Sequence, residues 1–302
     1  MLCRGQTSSV TVLAPAKLNL FLKVLGKRAD GYHELETLML SVSLYDTLIL
    51  SDDPSGRLSL SCRDGGSHSG PDQRRELPGA GPENLVMRAA ALLRDCAGRS
   101  PGARIELVKR IPLSAGLAGG SSDAAATLAG LNRLWNLGRT RPELTQLAAQ
   151  LGSDVPFFLC SRAAAICRGR GEIVEPLALA ARLWFVIARP QTGLSTAEVY
   201  RHCRPSSIGW SARELAQFLD RGRLRSAAGL FHNALEEPAQ RLSADVTVLK
   251  RAFARQPFAG HMMSGSGTGY FGLCHSRRHA VQLAARLKAT RLGDVFVASC
   301  RP

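Results

Sequence analysis

Residues 112 to 122 read Pro112-Leu113-Ser114-Ala115-Gly116-Leu117-Ala118-Gly119-Gly120-Ser121-Ser122 and run directly into an alanine-rich segment. Glycines let backbone N–H groups turn toward an anion, and a helix that follows presents unpaired donors and the positive end of its dipole. The segment therefore reads as a phosphate cradle. It has no lysine after its last glycine, as a Walker loop needs, and no G-x-G-x-x-G spacing of a dinucleotide turn. The plainer alternative is a glycine turn that only caps a helix.

Two charged residues have contexts suited to chemistry. Asp154 follows a helix terminator and precedes Val-Pro-Phe-Phe, so an apolar wall would hold it where it can accept a hydroxyl proton. Equally, it could simply bond local backbone amides at a turn. Lys17 lies inside an apolar strand, a costly place for an ammonium unless it meets an anion or a cleft. Its bland alternative is an edge lysine that discourages aggregation. Asn19 stands two residues on, hence on the same strand face. Gly31-Tyr32-His33 displays an aromatic ring and an imidazole on a turn, suited to stacking on a base, though such pairs are often only surface. His275 and His279 lack a convincing set of further metal ligands, and no G-x-S-x-G elbow appears.

Composition narrows the classes. The chain has 302 residues, enough for one large or two moderate domains. Its 8 cysteines show no C-x-x-C pair and read as reduced thiols. No secretory signal pattern opens the chain, and the apolar stretch 177–188 is interrupted by Arg182 and too short to span a bilayer. The net charge of +15 raises nucleic-acid binding, but the arginines are spread, acidic residues lie between them, and aromatics do not interleave them. A solvated basic surface is the favoured reading.

The elements that must position these residues follow from periodicity. Strands are expected over 10–25, 36–50, 58–62, 103–109, 183–188 and 295–299. Helices are expected from 84 to 95, from the glycine loop to about 135, over 143–151, 211–220, 246–253 and 277–289. Residues 64–81, rich in Gly, Ser and Pro, read as a surface excursion, and Ser264-Gly265-Ser266-Gly267-Thr268-Gly269 is a second glycine turn. Mixed elements without a β-α-β repeat indicate an α+β protein.

Three segments together resemble the motifs of the GHMP small-molecule kinases: Pro15-Ala-Lys17-Leu-Asn19-Leu-Phe-Leu, Pro112 to Ala125, and Ser264-Gly-Ser-Gly-Thr268. Further segments resemble the branch of that family acting on a cytidine diphosphate-linked methylerythritol. These are Arg28-Ala-Asp30-Gly31-Tyr32-His33 with Thr37, Glu83-Asn84-Leu85, Gly152-Ser-Asp154-Val-Pro-Phe, and His232-Asn233-Ala-Leu-Glu236. The resemblance spans nearly the whole chain. Its departures are Ser114, Ala115 and Ala118 where many relatives carry glycine, Tyr200 where some carry phenylalanine, and Ala234 where an acidic residue is common.

The resemblance implies a two-domain GHMP kinase fold, with a ribosomal-protein-like N-terminal domain over 1–175 and a ferredoxin-like C-terminal domain over 176–302. It implies Asp154 as general base with Lys17 as its charged partner, and Asn19 orienting the substrate hydroxyl. Residues Pro112 to Ser122 would wrap the phosphates of ATP with its Mg²⁺, no protein metal site being expected, and Asn84 and Lys109 would lie nearer the nucleoside. Tyr32 and Tyr200 would sandwich the cytosine, His33 would read its polar edge, and Gly265 and Gly267 of the second turn would close over the substrate. A bacterial cytoplasmic enzyme, monomeric or a weak homodimer and binding neither nucleic acid nor membrane, is the corresponding expectation. Another GHMP kinase, for mevalonate, homoserine or a sugar, is the nearest alternative, and a basic nucleic-acid-binding protein a more distant one.

Overall fold

The computed structural model describes residues 2–6, 9–66, 77–160 and 162–301. Residues 67–76, the middle of the anticipated excursion, lie outside the described residues. In chain order the first elements are β1 (Leu2–Gln6), β2 (Ser9–Lys27), β3 (His33–Asp53), β4 (Leu58–Asp64), α1 (Leu85–Asp95), β5 (Gly102–Lys109), α2 (Gly119–Leu134), α3 (Arg141–Leu151) and α4 (Val155–Phe158). There follow β6 (Ala164–Gly169), β7 (Ile173–Leu177), β8 (Leu183–Arg189), α5 (Thr196–Arg201), α6 (Ala212–Asp220), α7 (Leu224–Ala228), β9 (His232–Asn233), α8 (Glu236–Leu242), α9 (Ala244–Ala254), β10 (Gly260–Met263), β11 (Tyr270–Cys274), α10 (Arg277–Ala289) and β12 (Asp294–Cys300). The strands and helices read from periodicity are all present, several of them longer than their patterned cores.

Contacts divide the chain into two compact units that interleave in sequence. One contains residues 1–16, 44–113 and 118–159; the other contains 17–43, 114–117 and 160–302. A cut at 175/176 separates the chain differently, because β2 and β3 are 19 and 21 residues long and each contributes one end to either unit. In the first unit, β3 pairs antiparallel with β5 from Thr47↔Val108 to Asp53↔Gly102, and β4 pairs parallel with β5. Helix α1 packs on β4, α2 approaches β2 and β3, and α3 and α4 pack on these helices. Gly130 on α2 marks a close approach, since a Cβ there would lie 2.2 Å from Leu50 and 2.9 Å from Val12. Helix α3 starts where its sequence signals it, with a reciprocal Thr140–Glu143 capping box and Pro142 in the first turn.

In the second unit, β3 pairs with β6 and β6 with β7. A separate antiparallel sheet runs β10-β11-β8-β12. Its strands are apolar runs, and helices α9 and α10 cover it with Leu249, Phe253, Leu283 and Leu287, all buried. Each such side chain contributes about 1.5–3 kcal/mol when fully buried. Cys62, Cys96, Cys160, Cys167, Cys203, Cys274 and Cys300 are free thiols.

Candidate active site

Strand β2 shows why a lysine can stand inside an apolar run. Its burial alternates at the N-terminal end, then both faces are covered from Ala14 to Leu22. The even positions Leu18, Leu20 and Leu22 pack in the core, and the odd positions Lys17 and Asn19 share the opposite face, at 4% and 1% exposure. The Lys17 ammonium donates to Asn19 Oδ1. Asn19 Nδ2 donates to Thr37 Oγ1 at 2.8 Å, and that hydroxyl donates to the Phe21 carbonyl. A buried amide thus fixes the ammonium, and a buried hydroxyl fixes the amide.

Among the described residues, the edge of β2 has a gap in its strand pairing. Strand β1 covers it up to Leu13 and β9 resumes at Phe21. Between them stands Pro15, which has no N–H to leave unpaired at such an edge. The amide of Lys17 donates to the Leu117 carbonyl at 3.1 Å, and that of Asn19 to Ser264 Oγ at 3.3 Å. The two glycine segments therefore fill the gap. They also hold each other: Ser264 Oγ donates to Gly116 O at 3.1 Å, and the amides of Thr268 and Gly269 donate to the carbonyls of Ser114 and Ala115. Gly116 has φ +67°, and a Cβ there would fall 2.0 Å from the Ser264 carbonyl oxygen. Gly265, at φ +56°, lies against the catalytic candidates, since its Cβ would be 3.0 Å from Lys17 Nζ and 3.2 Å from Asn19 Oδ1. Gly267 also has positive φ, +86°.

The other part of the first glycine segment belongs to the first unit. Pro112 is buried and Leu113 half-buried, while Gly120 is exposed. Ala118 is the N-cap of α2 in left-handed conformation, φ 53°, and makes no side-chain cap bond. Ser114 is likewise left-handed at φ 50°. Two of the positions where many relatives carry glycine thus have a backbone that glycine adopts without strain. The N-cap gives no side-chain acceptor to the first-turn N–H groups of α2, which include those of Gly120 and Ser121, and unpaired donors of this kind suit an anion. Ser122 Oγ in that turn is buried without a hydrogen-bond partner.

Lys109, expected near a nucleoside, is buried with 2% exposure and committed to Asp46 and, at 2.7 Å, to Asp123. Asp46 Oδ1 accepts from the backbone amides of Arg110 and Ile111. The cluster therefore ties the end of β5 to Asp123, just past the first turn of α2, on either side of the glycine segment. Desolvation, opposed by the Lys109 charge and reinforced by Asp46, raises the Asp123 carboxyl well above the usual range, and its Oδ1 has no partner. Both carboxylates raise Lys109 against its own burial. Asn84 caps α1, its Oδ1 accepting from the Val86 amide at 2.9 Å and its Nδ2 donating to the Gly79 carbonyl. Asp154 is half-buried and immediately precedes α4, whose Val155, Pro156, Phe157 and Phe158 are all buried.

The aromatic candidates lie in the second unit. His33 and Tyr200 are neighbours, ring centroids 5.2 Å apart with planes at 30°. Tyr32 is 52% exposed, and the Arg170 guanidinium lies 4.7 Å from its ring centroid. Desolvation, with a smaller contribution from Lys27, lowers His33 below the ordinary imidazole value, so its ring is neutral at pH 7. Sequence reasoning assigns no role to Asp46 or Asp123, and none to the hydroxyl of Ser264. The signal for Asp46 was a lone carboxylate in the apolar Leu44–Leu50 strand.

The chain matches the GHMP kinases N terminal domain over residues 84–162 and the GHMP kinases C terminal domain over residues 212–291. A 4-diphosphocytidyl-2-C-methyl-D-erythritol kinase of Pelotomaculum thermopropionicum is 42% identical over 283 residues, 93% of this chain and 94% of that protein. One of Shouchella clausii, of the same name, is 42% identical over 87% of this chain and 85% of its own length. A crystal structure of 4-(cytidine 5'-diphospho)-2C-methyl-D-erythritol kinase superposes with TM-score 0.79 at 38% identity, covering 97% of this chain and 99% of that one. The L. major mevalonate kinase in complex with R-mevalonate shares the fold at TM-score 0.74 and 17% identity, covering 100% and 99%. With two GHMP domains in order and relatives matched nearly end to end, the chain belongs to the 4-diphosphocytidyl-2-C-methyl-D-erythritol kinase family of the GHMP kinases.

Proposed function

We propose that the protein transfers the γ-phosphoryl group of ATP to the 2-hydroxyl of 4-diphosphocytidyl-2-C-methyl-D-erythritol, a step of non-mevalonate isoprenoid precursor synthesis. The observation that carries this reading is Lys17, an ammonium buried to 4% exposure and backed by Asn19, with two mutually bonded glycine turns at its strand edge. Phosphoryl transfer asks for positioned donors and neutralised charge more than for covalent chemistry, and this arrangement provides both.

In the reaction the substrate oxygen bonds to the γ-phosphorus, the bond to the ADP oxygen breaks, and the hydroxyl proton leaves. Asp154 is the acceptor of that proton, and Lys17 stabilises charge on the transferring group. The amides of residues 114–122 hold the phosphates. Mg²⁺ would come as an ion brought by the nucleotide. Ser122 Oγ, a buried hard oxygen without a partner, is the side chain that would meet it. When bound, Mg²⁺ supplies charge neutralisation at the phosphates.

Tyr32 and Tyr200 stack the cytosine, and neutral His33 offers a ring nitrogen to its edge. Lys109 serves the nucleotide from below, by fixing both ends of the phosphate segment. Among the described residues no helix is long and apolar enough to cross a membrane, and a bacterial cytoplasmic setting suits the small phosphorylated substrates.

The test is ATP consumption with 4-diphosphocytidyl-2-C-methyl-D-erythritol set against mevalonate, homoserine and galactose. Turnover of the cytidine compound alone is the expected result; turnover of another acceptor in its place overturns the reading. Full activity in Asp154→Asn removes Asp154 from the mechanism.

A further inference from the structure

Asn233 is 8% exposed, and both the nitrogen and the oxygen of its side-chain amide are engaged by backbone groups. Nδ2 donates to the carbonyls of Met263, at 2.9 Å, and Gly265, at 2.8 Å, and Oδ1 accepts from the Leu235 amide at 2.9 Å. Its backbone is one of the two residues of β9, paired in parallel with Leu22 of β2. A single side chain therefore ties the strand that carries Lys17 and Asn19 to the two carbonyls that flank Ser264. Glu236, three residues on, adds a bond from the Met263 amide at 2.9 Å. The held segment is the one whose Gly265 stands 3.0 Å, measured to an added Cβ, from Lys17 Nζ, and whose Ser264 hydroxyl accepts from Asn19 and donates to Gly116.

We propose that Asn233 is a positioning residue for phosphoryl transfer: its two N–H donors set where the second glycine turn stands against Lys17 and Asn19. The proposal rests on the kinase reading given above. Only an amide has the required pattern at this size. An aspartate in its place would point lone pairs at two carbonyl oxygens where two donors now stand, while keeping the acceptor for Leu235. The turn would then shift relative to the ammonium without losing the core beneath it. Misplacement of a positioned group by about 1 Å costs on the order of a hundredfold in rate. Because the Asn233 amide is committed to backbone groups of the turn, the loss falls on kcat.

The experiment measures kcat and both KM values for wild type, Asn233→Asp, Gly265→Ala and the double variant, with thermal melts in parallel. Asn233→Ser, which leaves room for water between the carbonyls, is carried alongside in case Asn233→Asp does not fold. Wild-type turnover of the cytidine substrate tests the kinase reading independently of any variant. The expected result is a fall in kcat of about a hundredfold in Asn233→Asp, both KM values within about threefold, and a double variant no worse than its poorer parent. A folded Asn233 variant with wild-type kcat overturns the proposal. So does a rise in KM that accounts for the loss, or losses that multiply in the double variant.

Discussion

Lys109 and Asp46, 63 residues apart in the chain, form a buried ion pair whose carboxylate also accepts the backbone amides of the two residues after Lys109. The strand end that leads into the phosphate segment is thus held by one side chain from β3. A second carboxylate, Asp123, takes the same ammonium from the far side of that segment.

Lys109→Met leaves the buried Asp46 carboxylate beside Asp123 without a cation. The expected destabilisation is about 3–5 kcal/mol, read from denaturant or thermal melts. Adding Asp46→Asn and Asp123→Asn to the same protein should recover part of that loss, because no uncompensated charge remains. Equal melts for Lys109→Met and wild type would show that the three charges are not coupled.

Asp123 gives stability a pH dependence of definite sign. Its carboxyl rises from an ordinary 3.8 to about 8 in the folded chain, from burial first and Asp46 second. Between those values the unfolded chain has released a proton that the folded chain keeps, so this contribution is full below 3.8 and falls as pH rises toward about 8. Asp123→Asn should therefore gain on wild type as the melt is moved from pH 5 to pH 8. A constant difference across that range would contradict the assignment.

Much of this architecture can be read from local pattern. The glycines at 116, 119 and 120, the hydroxyls after them and the alanine run announce a helix start, and Lys17 with Asn19 announces a polar face on an apolar strand. Asp46 and Asn233 could not be read that way. Their partners lie 63 to 65 residues away for Asp46 and 30 to 32 residues away for the Asn233 amide donors, and no periodicity encodes a contact at such distance. The same holds for the aromatic rings. Gly31-Tyr32-His33 stands out as a displayed aromatic turn and Tyr200 enters only through the family resemblance, but that Tyr200 rests on His33 while Arg170 lies over Tyr32 depends on β6, β7 and α5 folding around the turn.

Gly116→Ala tests the bond between the two glycine segments. A Cβ at φ +67° and 2.0 Å from the Ser264 carbonyl requires the backbone to separate. The expected cost is about 1–3 kcal/mol with a raised KM for ATP, read by melts and initial rates. By contrast Ala118→Gly, which relieves a left-handed residue, should leave activity in place and raise stability by about 1 kcal/mol. A destabilised Ala118→Gly would show that the alanine methyl carries packing of greater weight.

Tyr200→Ala should raise the KM for the cytidine substrate by the about 1–3 kcal/mol that one stacked base contributes, and leave the KM for ATP unchanged. Because His33 titrates below its ordinary value, the cytidine KM should stay flat from pH 8 to about 6.5 and rise only in more acid solution. His33→Gln should abolish that acid rise. Parallel changes in both KM values would place these rings away from the base.

The gap in the edge pairing of β2 gives the protein a built-in reporter. The amides of Lys17 and Asn19 are secured by the Leu117 carbonyl and the Ser264 hydroxyl. Their deuterium uptake therefore records how often those two segments lift away, at atoms belonging to the residues that would meet the reacting groups. Occupancy of the phosphate segment by nucleotide would slow Lys17, ordering of the second turn by acceptor would slow Asn19, and the order in which the two slow would reveal the sequence of assembly.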